Sequence, residues 1–166
     1  STLKTPRSSS KPKGAPEDAL QRALRFLGYR PRSEAEVRDH LSQRGYSSTV
    51  IAQAVEKLRS LNYLIDETFA RNWARSRAHS RGYGPNRIEQ ELRAKGIAPT
   101  LLREVVRELY TDMDEAEYAG RLLAKRFKGQ DLSEPKARTR AAAFLQRRGY
   151  SSKVIFDLLR YSIEED

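Results

Sequence analysis

The chain has 166 residues, 38% of them hydrophobic and 33% charged, and 32 Lys and Arg against 22 Asp and Glu give it a net charge of +10. That balance suits thin helical layers that each bury one stripe, and it favours a polyanionic partner such as nucleic acid, an acidic protein surface or anionic lipid. The absence of cysteine excludes disulfides, thiolate metal sites and cysteine nucleophiles, and no apolar run approaches the roughly 18 residues that a membrane span needs.

Residues 1–16 (STLKTPRSSSKPKGAP) are rich in Ser, Pro and Lys and nearly free of large apolar groups. Such a segment cannot offset its ordering entropy by burial, so a disordered basic tail is expected, carrying Lys4, Arg7, Lys11 and Lys13 and no acid. A first helix is expected over 17–28, with Leu20, Leu24 and Leu27 on one stripe. Ser33-Glu34-Ala35-Glu36 reads as a capping box opening a second helix to about Arg44. A third follows Ser47-Ser48 and turns Ile51, Val55 and Leu58 inward.

This pattern then repeats. L-S-Q-R-G-Y-S-S-T-V-I at 41–51 returns as L-R-A-K-G-I-A-P-T-L-L at 92–102 and as L-Q-R-R-G-Y-S-S-K-V-I at 145–155, which places Gly45, Gly96 and Gly149 in one register. Ala19-Leu20, Phe69-Ala70 and Tyr118-Ala119 keep nearly the same phase upstream, and Val55, Val106 and Leu159 keep it downstream. Repeats of about fifty residues that retain only apolar and Gly positions are supersecondary units. The expected fold is therefore all-α: three tandem three-helix repeats, helix-turn-helix-like, in an elongated, curved row. Their bounds are 17–65, 66–110 and 111–166, with helices near 67–80, 85–95 and 99–110, then 113–127, 134–148 and 152–162. Joints at 62–66 and 110–114 are short and act as hinges if the repeats stack weakly. A single nine-helix domain is the other arrangement compatible with the pattern.

The second repeat opens with the most informative stretch, Asp66 to Ile97, which holds the only tryptophan. Asp66 falls where an N-cap belongs. Phe69 and Trp73 share one helical face, and Arg71 and Arg75 fall roughly opposite. Gly82 and Gly84 break that helix, Pro85 suits the first turn of the next, and Lys95-Gly96 is a left-handed stop signal. From Arg71 to Arg87 there are five arginines and His79 with no carboxylate.

The run D-E-x-F-A-x-x-W-A-x-x-R, followed by G-x-G-P-x-R-I-x-x-E-L-x-x-K-G-I, resembles the signature of the RecX family of bacterial regulatory proteins. The matching residues are Asp66, Phe69, Ala70, Trp73, Arg77, Gly84, Arg87, Ile88, Glu91, Leu92, Lys95, Gly96 and Ile97. More loosely, the resemblance covers nearly all of the chain after the tail. It implies a modulator of the recombinase RecA that lies along the RecA nucleoprotein filament and restrains its recombinase, ATPase and coprotease activities. A monomeric protein of the cytoplasm is expected, acting in DNA repair and recombination.

Two kinds of contact fit the basic residues. Arg71, Arg75, Arg77, Arg81 and Arg87, with Arg121, Lys125, Arg126, Arg147 and Arg148 from the third repeat, are the candidate contacts to filament or DNA. Arg forks onto phosphate or carboxylate alike, so the patch suits single- or double-stranded DNA, gripped nonspecifically, or an acidic RecA surface. The same arginines also suit an ordinary solvated face, and Lys125–Lys128 suits a helix C-terminus. A nonspecific DNA-binding accessory or a helix-turn-helix transcriptional protein is the alternative, although the third helices offer few of the side chains that read bases. An enzyme is not expected: His40 and His79 fall in different repeats, and there is no Walker loop, H-E-x-x-H or G-x-S-x-G. No cofactor or metal site is expected, and nothing marks a membrane partner or a signal-peptide core.

Overall fold

The computed structural model describes residues 14–164, with side chains as far as Arg160. The cations of the basic tail, Lys4, Arg7, Lys11 and Lys13, lie outside the described residues. Within them the chain is all-helical: α1 (Pro16–Tyr29), α2 (Glu34–Gln43), α3 (Ser48–Ser60), α4 (Asp66–Arg81), α5 (Pro85–Ala94), α6 (Pro99–Asp112), α7 (Glu115–Arg126), α8 (Pro135–Arg148) and α9 (Ser152–Glu164). They fall into two compact units divided between Ile65 and Asp66, α1–α3 in one and α4–α9 in the other.

Local chemistry sets most of the helix ends. The Ser33 capping box forms, with its hydroxyl accepting from the Glu36 N–H and the Glu36 carboxylate accepting from the Ser33 N–H, each at 3.2 Å. Ser47 accepts from the Val50 N–H at the start of α3, and Asp114 from the Ala116 N–H at the start of α7. Pro85, Pro99 and Pro135 stand in the first turns of α5, α6 and α8, where a missing N–H costs nothing. Asp66 departs from expectation: it is already the first residue of α4, not its cap. Its carboxylate there still complements the positive end of the helix dipole.

The repeated Leu-x-x-x-Gly-(Tyr/Ile) segment closes α2, α5 and α8 by one device. Gly45, Gly96 and Gly149 take φ of +88°, +75° and +93°. The next residue then donates its N–H back to the leucine carbonyl: Tyr46 to Leu41 at 3.3 Å, Ile97 to Leu92 at 3.1 Å and Tyr150 to Leu145 at 3.1 Å. This is the Schellman stop, and burial of Tyr46, Ile97 and Tyr150 supplies its hydrophobic contact. The repeat is thus the same helix ending written three times.

Three hydrophobic clusters lie under these turns, one within α1–α3, one within α4–α6 and one within α7–α9. Leu41, Leu92 and Leu145 are fully buried, as are Ala19, Ala70 and Ala119 at the upstream repeat position. The small alanines let the first helix of each group approach its neighbours closely. In α4 the buried stripe is Phe69, Ala70, Ala74 and Ala78, so Trp73 is displaced to its edge and only half-buried.

In the first unit, Phe26 stacks on the His40 ring at 3.9 Å and 4°, and the Arg32 guanidinium lies 3.9 Å over the Phe26 ring. Burial, reinforced by Arg44, Arg22 and Arg32, holds the His40 imidazole below its ordinary value. The unfolded chain therefore binds this proton more readily than the folded one. The stabilising contribution is fully present above the unfolded pKa of about 6.5 and is lost as pH falls through the lower folded value. We expect the melting temperature to drop more steeply from pH 7 to pH 5 in the parent chain than in His40→Gln. Parallel melting curves for the two would contradict this.

Candidate polyanion-binding site

Within the second unit, the C-terminal end of α4 and the basic faces of α7 and α8 line a groove of about 540 Å³. Its walls carry Arg81, Arg121, Lys125, Arg126 and Arg148, together with His79, Tyr118, Leu122 and Phe144, and no carboxylate. The Arg121 guanidinium pairs with Glu117 one helical turn away. Arg148 donates to the Arg81 carbonyl and lies 5.2 Å over the Phe144 ring. Lys125, Arg126 and the side chain of Arg81 are exposed and make no ion pair or hydrogen bond among the described residues. They are the cations left to an incoming anion.

A smaller depression of about 280 Å³ shares Arg126 and Phe144 with this groove and adds Arg140, Arg147, Gln130 and Phe127. Arg140 donates to Gln130 at 3.2 Å. The two depressions together place one basic band along α7 and α8.

The other candidate residues are elsewhere. Arg71 is not on a free face: it pairs with Glu67 at 3.2 Å and with Glu108 of α6. Those hydrogen bonds, the one to Glu108 foremost, raise its pKa, and Arg71 in turn holds Glu108 below the usual carboxylate range. Reversing Arg71 to Glu would therefore crowd three carboxylates and disturb the α4–α6 packing. Arg75 is exposed beside Arg71, in a depression that also holds Glu108 and Asp112. Arg77 lies 4.2 Å over the Trp73 ring and 3.6 Å from Glu91, and so serves α4–α5 packing. Arg87 lies 4.0 Å over the Tyr83 ring and donates to the Arg147 carbonyl at 3.2 Å.

What the spacing missed is the convergence of three helices. The acid-free interval from Arg71 to Arg87 already contained His79 and Arg81, but nothing in it indicated that its end faces α7. Arg140 sits in a plain K-A-R-T-R run that no motif distinguishes. On α3, Arg59 is paired with Glu34 and Glu56.

Two phenols, Tyr150 buried and Tyr110 half-buried, donate to carbonyls of the turn that follows α4. Tyr110 donates to the Tyr83 carbonyl at 2.6 Å and Tyr150 to the Gly82 carbonyl at 3.0 Å. Burial pushes Tyr150 up to about 12 and raises Tyr110 as well, so both remain protonated donors at neutral pH.

Comparison with known proteins follows the same three groups of helices. Models of the first, second and third three-helix domains of RecX match residues 19–58, 66–106 and 114–159. Regulatory protein RecX of Trichlorobacter lovleyi is 36% identical over 145 residues, covering 86% of this chain and 94% of that protein. Those of Bacillus velezensis and Bacillus subtilis are 35% and 36% identical over 150 and 151 residues, or 89% of this chain in each case. The chain spans only 54% and 57% of these two longer proteins. The crystal structure of RecX from Lactobacillus salivarius matches with a TM-score of 0.76 at 25% identity, over 91% of this chain and 97% of that one. Sequence, helix order and fold agree, and the chain belongs to the RecX family of regulatory proteins.

Proposed function

We propose that this chain binds RecA nucleoprotein filaments and restrains their recombinase, ATPase and coprotease activities, with the basic groove as its principal contact. Family membership supplies the regulatory role. The observation that carries the rest is the groove itself: five cations converge there without a carboxylate in its lining. Arg and Lys that are not neutralised internally attract phosphate or carboxylate at long range and hold it with charge-assisted bonds at contact. A nucleoprotein filament offers both anions.

Direct binding of bare DNA is the second reading, favoured by the three unengaged cations, Arg81, Lys125 and Arg126. The test reverses Lys125 and Arg126 to Glu together, since both are exposed and neither is engaged within the described chain. Helix content is expected to stay unchanged while the protein loses inhibition of RecA-dependent ATP hydrolysis on single-stranded DNA. Each lost phosphate contact removes about 0.7 to 0.9 from the log–log salt slope of bare-DNA binding, so the double variant should be flatter by about 1.4 to 1.8. Inhibition lost with an unchanged slope assigns the groove to a RecA surface. A folded variant that inhibits at the parent concentration overturns the proposal.

A further inference from the structure

We infer that the groove is held in register by a backbone lock between the α4–α5 turn and the α8–α9 turn, with Gly84 and Gly149 as its positioning residues. The functional weight of this inference rests on the groove being the binding surface proposed above. One wall of the groove comes from α4 and the other from α7 and α8, yet the main helix packing stays inside α4–α6 and inside α7–α9. The relative placement of the two walls therefore depends on what joins the groups.

The join rests on main-chain groups, with the His79–Tyr118 ring contact between α4 and α7 beside them. The Gly84 N–H donates to the Arg148 carbonyl at 2.7 Å and the Asn86 N–H to the Gly149 carbonyl at 2.8 Å. Three side chains extend it, each also ending on a carbonyl: Arg87 on Arg147, Arg148 on Arg81, and Tyr150 on Gly82. Four of these five acceptors belong to the C-terminal turns or cap of α4 and α8, where helix carbonyls lack partners and carry partial negative charge. Helix ends thus take the place of carboxylates in holding Arg87 and Arg148. This is how a dense cluster of arginines stands beside a groove that contains no acid.

The two glycines distinguish a joint from an ordinary helix stop. Gly84 has φ −87°, which any residue adopts, so conformation does not call for glycine there. Space does: a Cβ would lie 2.7 Å from the Gly149 carbonyl carbon and oxygen and from the Tyr150 nitrogen. A Cβ on Gly149 would in turn overlap the Arg87 backbone, its Cα at 2.9 Å. Gly45 ends α2 with the same left-handed turn, but a Cβ there meets nothing within 4 Å. The repeat supplies the cap glycine at both positions, and at Gly149, unlike Gly45, a second backbone presses against it.

Because the chain has no cysteine, two can be introduced without background. Spin labels at Gln90→Cys on α5 and Lys136→Cys on α8, both exposed positions, report the separation of the two groups by pulsed electron resonance. A single narrow distance distribution is expected in the parent, and a broadened or shifted one in Gly84→Ala, with helix content by circular dichroism unchanged. Gly84→Ala should also raise the concentration for half-inhibition of RecA-dependent ATP hydrolysis by about tenfold, the equivalent of one charge-assisted contact. If Gly84→Ala fails to fold, Tyr150→Phe, which removes one hydroxyl from the lock, should broaden the distances more modestly. An unchanged distribution in the folded Gly84→Ala chain overturns the lock, and a broadened one with undiminished inhibition overturns its positioning role. The distance readout does not depend on any ligand, so the lock can stand even if reversal of Lys125 and Arg126 shows that the groove is not the contact.

Discussion

Truncation of Leu92 to Ala is expected to cost roughly 2–5 kcal/mol, the range for deleting a fully buried leucine. Leu92 is completely enclosed within the α4–α6 cluster, alongside Ile88 and Leu102. Its carbonyl also accepts from Ile97 in the helix stop, a bond that the substitution leaves intact, so the loss reports packing alone. Amide exchange is the measurement of choice, because a chain with two compact units need not unfold in one step. Amides of α4–α6 should lose protection by the full amount. A loss below about 1 kcal/mol would mean that the site collapses around the gap, contrary to the dense packing of protein interiors.

Much of this fold is legible in the sequence because one local rule is written three times. Leu at the end of a helix, Gly in the left-handed position and Tyr or Ile after it specify a stop, and the capping box at Ser33 and the prolines at 85, 99 and 135 specify starts. Those signals act within six residues, so no tertiary information is needed to read them. Asp66 marks the edge of such reading. A carboxylate at the cap and a carboxylate in the first turn both serve the N-terminus, and composition does not separate them.

The site was less legible, for a reason that Arg71 and Arg81 illustrate together. Both lie in the same acid-free interval of sequence, but Arg71 meets Glu108 thirty-seven residues on, while Arg81 faces α7 and α8. Sequence reveals how many acids are nearby along the chain; pairing is decided across the fold. Gly84 shows the same limit for the backbone. It reads as a helix breaker, but its φ is ordinary, and its real constraint is another turn sixty-five residues away.

Trp73 draws these strands together and gives the remaining large effect. Its ring stacks on Phe69 at 5.7 Å, its Nε1–H donates to Glu91 at 3.3 Å, and Arg77 and Lys95 lie 4.2 Å and 4.8 Å from its centroid. It therefore clamps α4 to α5 from the edge of the core, without filling the centre. Complete burial would make Trp73→Ala cost about 3–5 kcal/mol, whereas a half-buried ring with two cation–π contacts is expected to cost about 2–3 kcal/mol. Trp73→Phe keeps the ring stacking and much of the cation contact and loses the indole donor, so about 1 kcal/mol is expected. Urea denaturation of the three chains measures both steps. If Trp73→Ala left stability untouched while weakening inhibition of RecA-dependent ATP hydrolysis, the ring would be a partner contact, and Arg77 and Lys95 beside it would join the binding surface. If it cost the full 5 kcal/mol, Arg77 and Lys95 would be covering the ring as part of the core. The intermediate value is the one that the geometry requires.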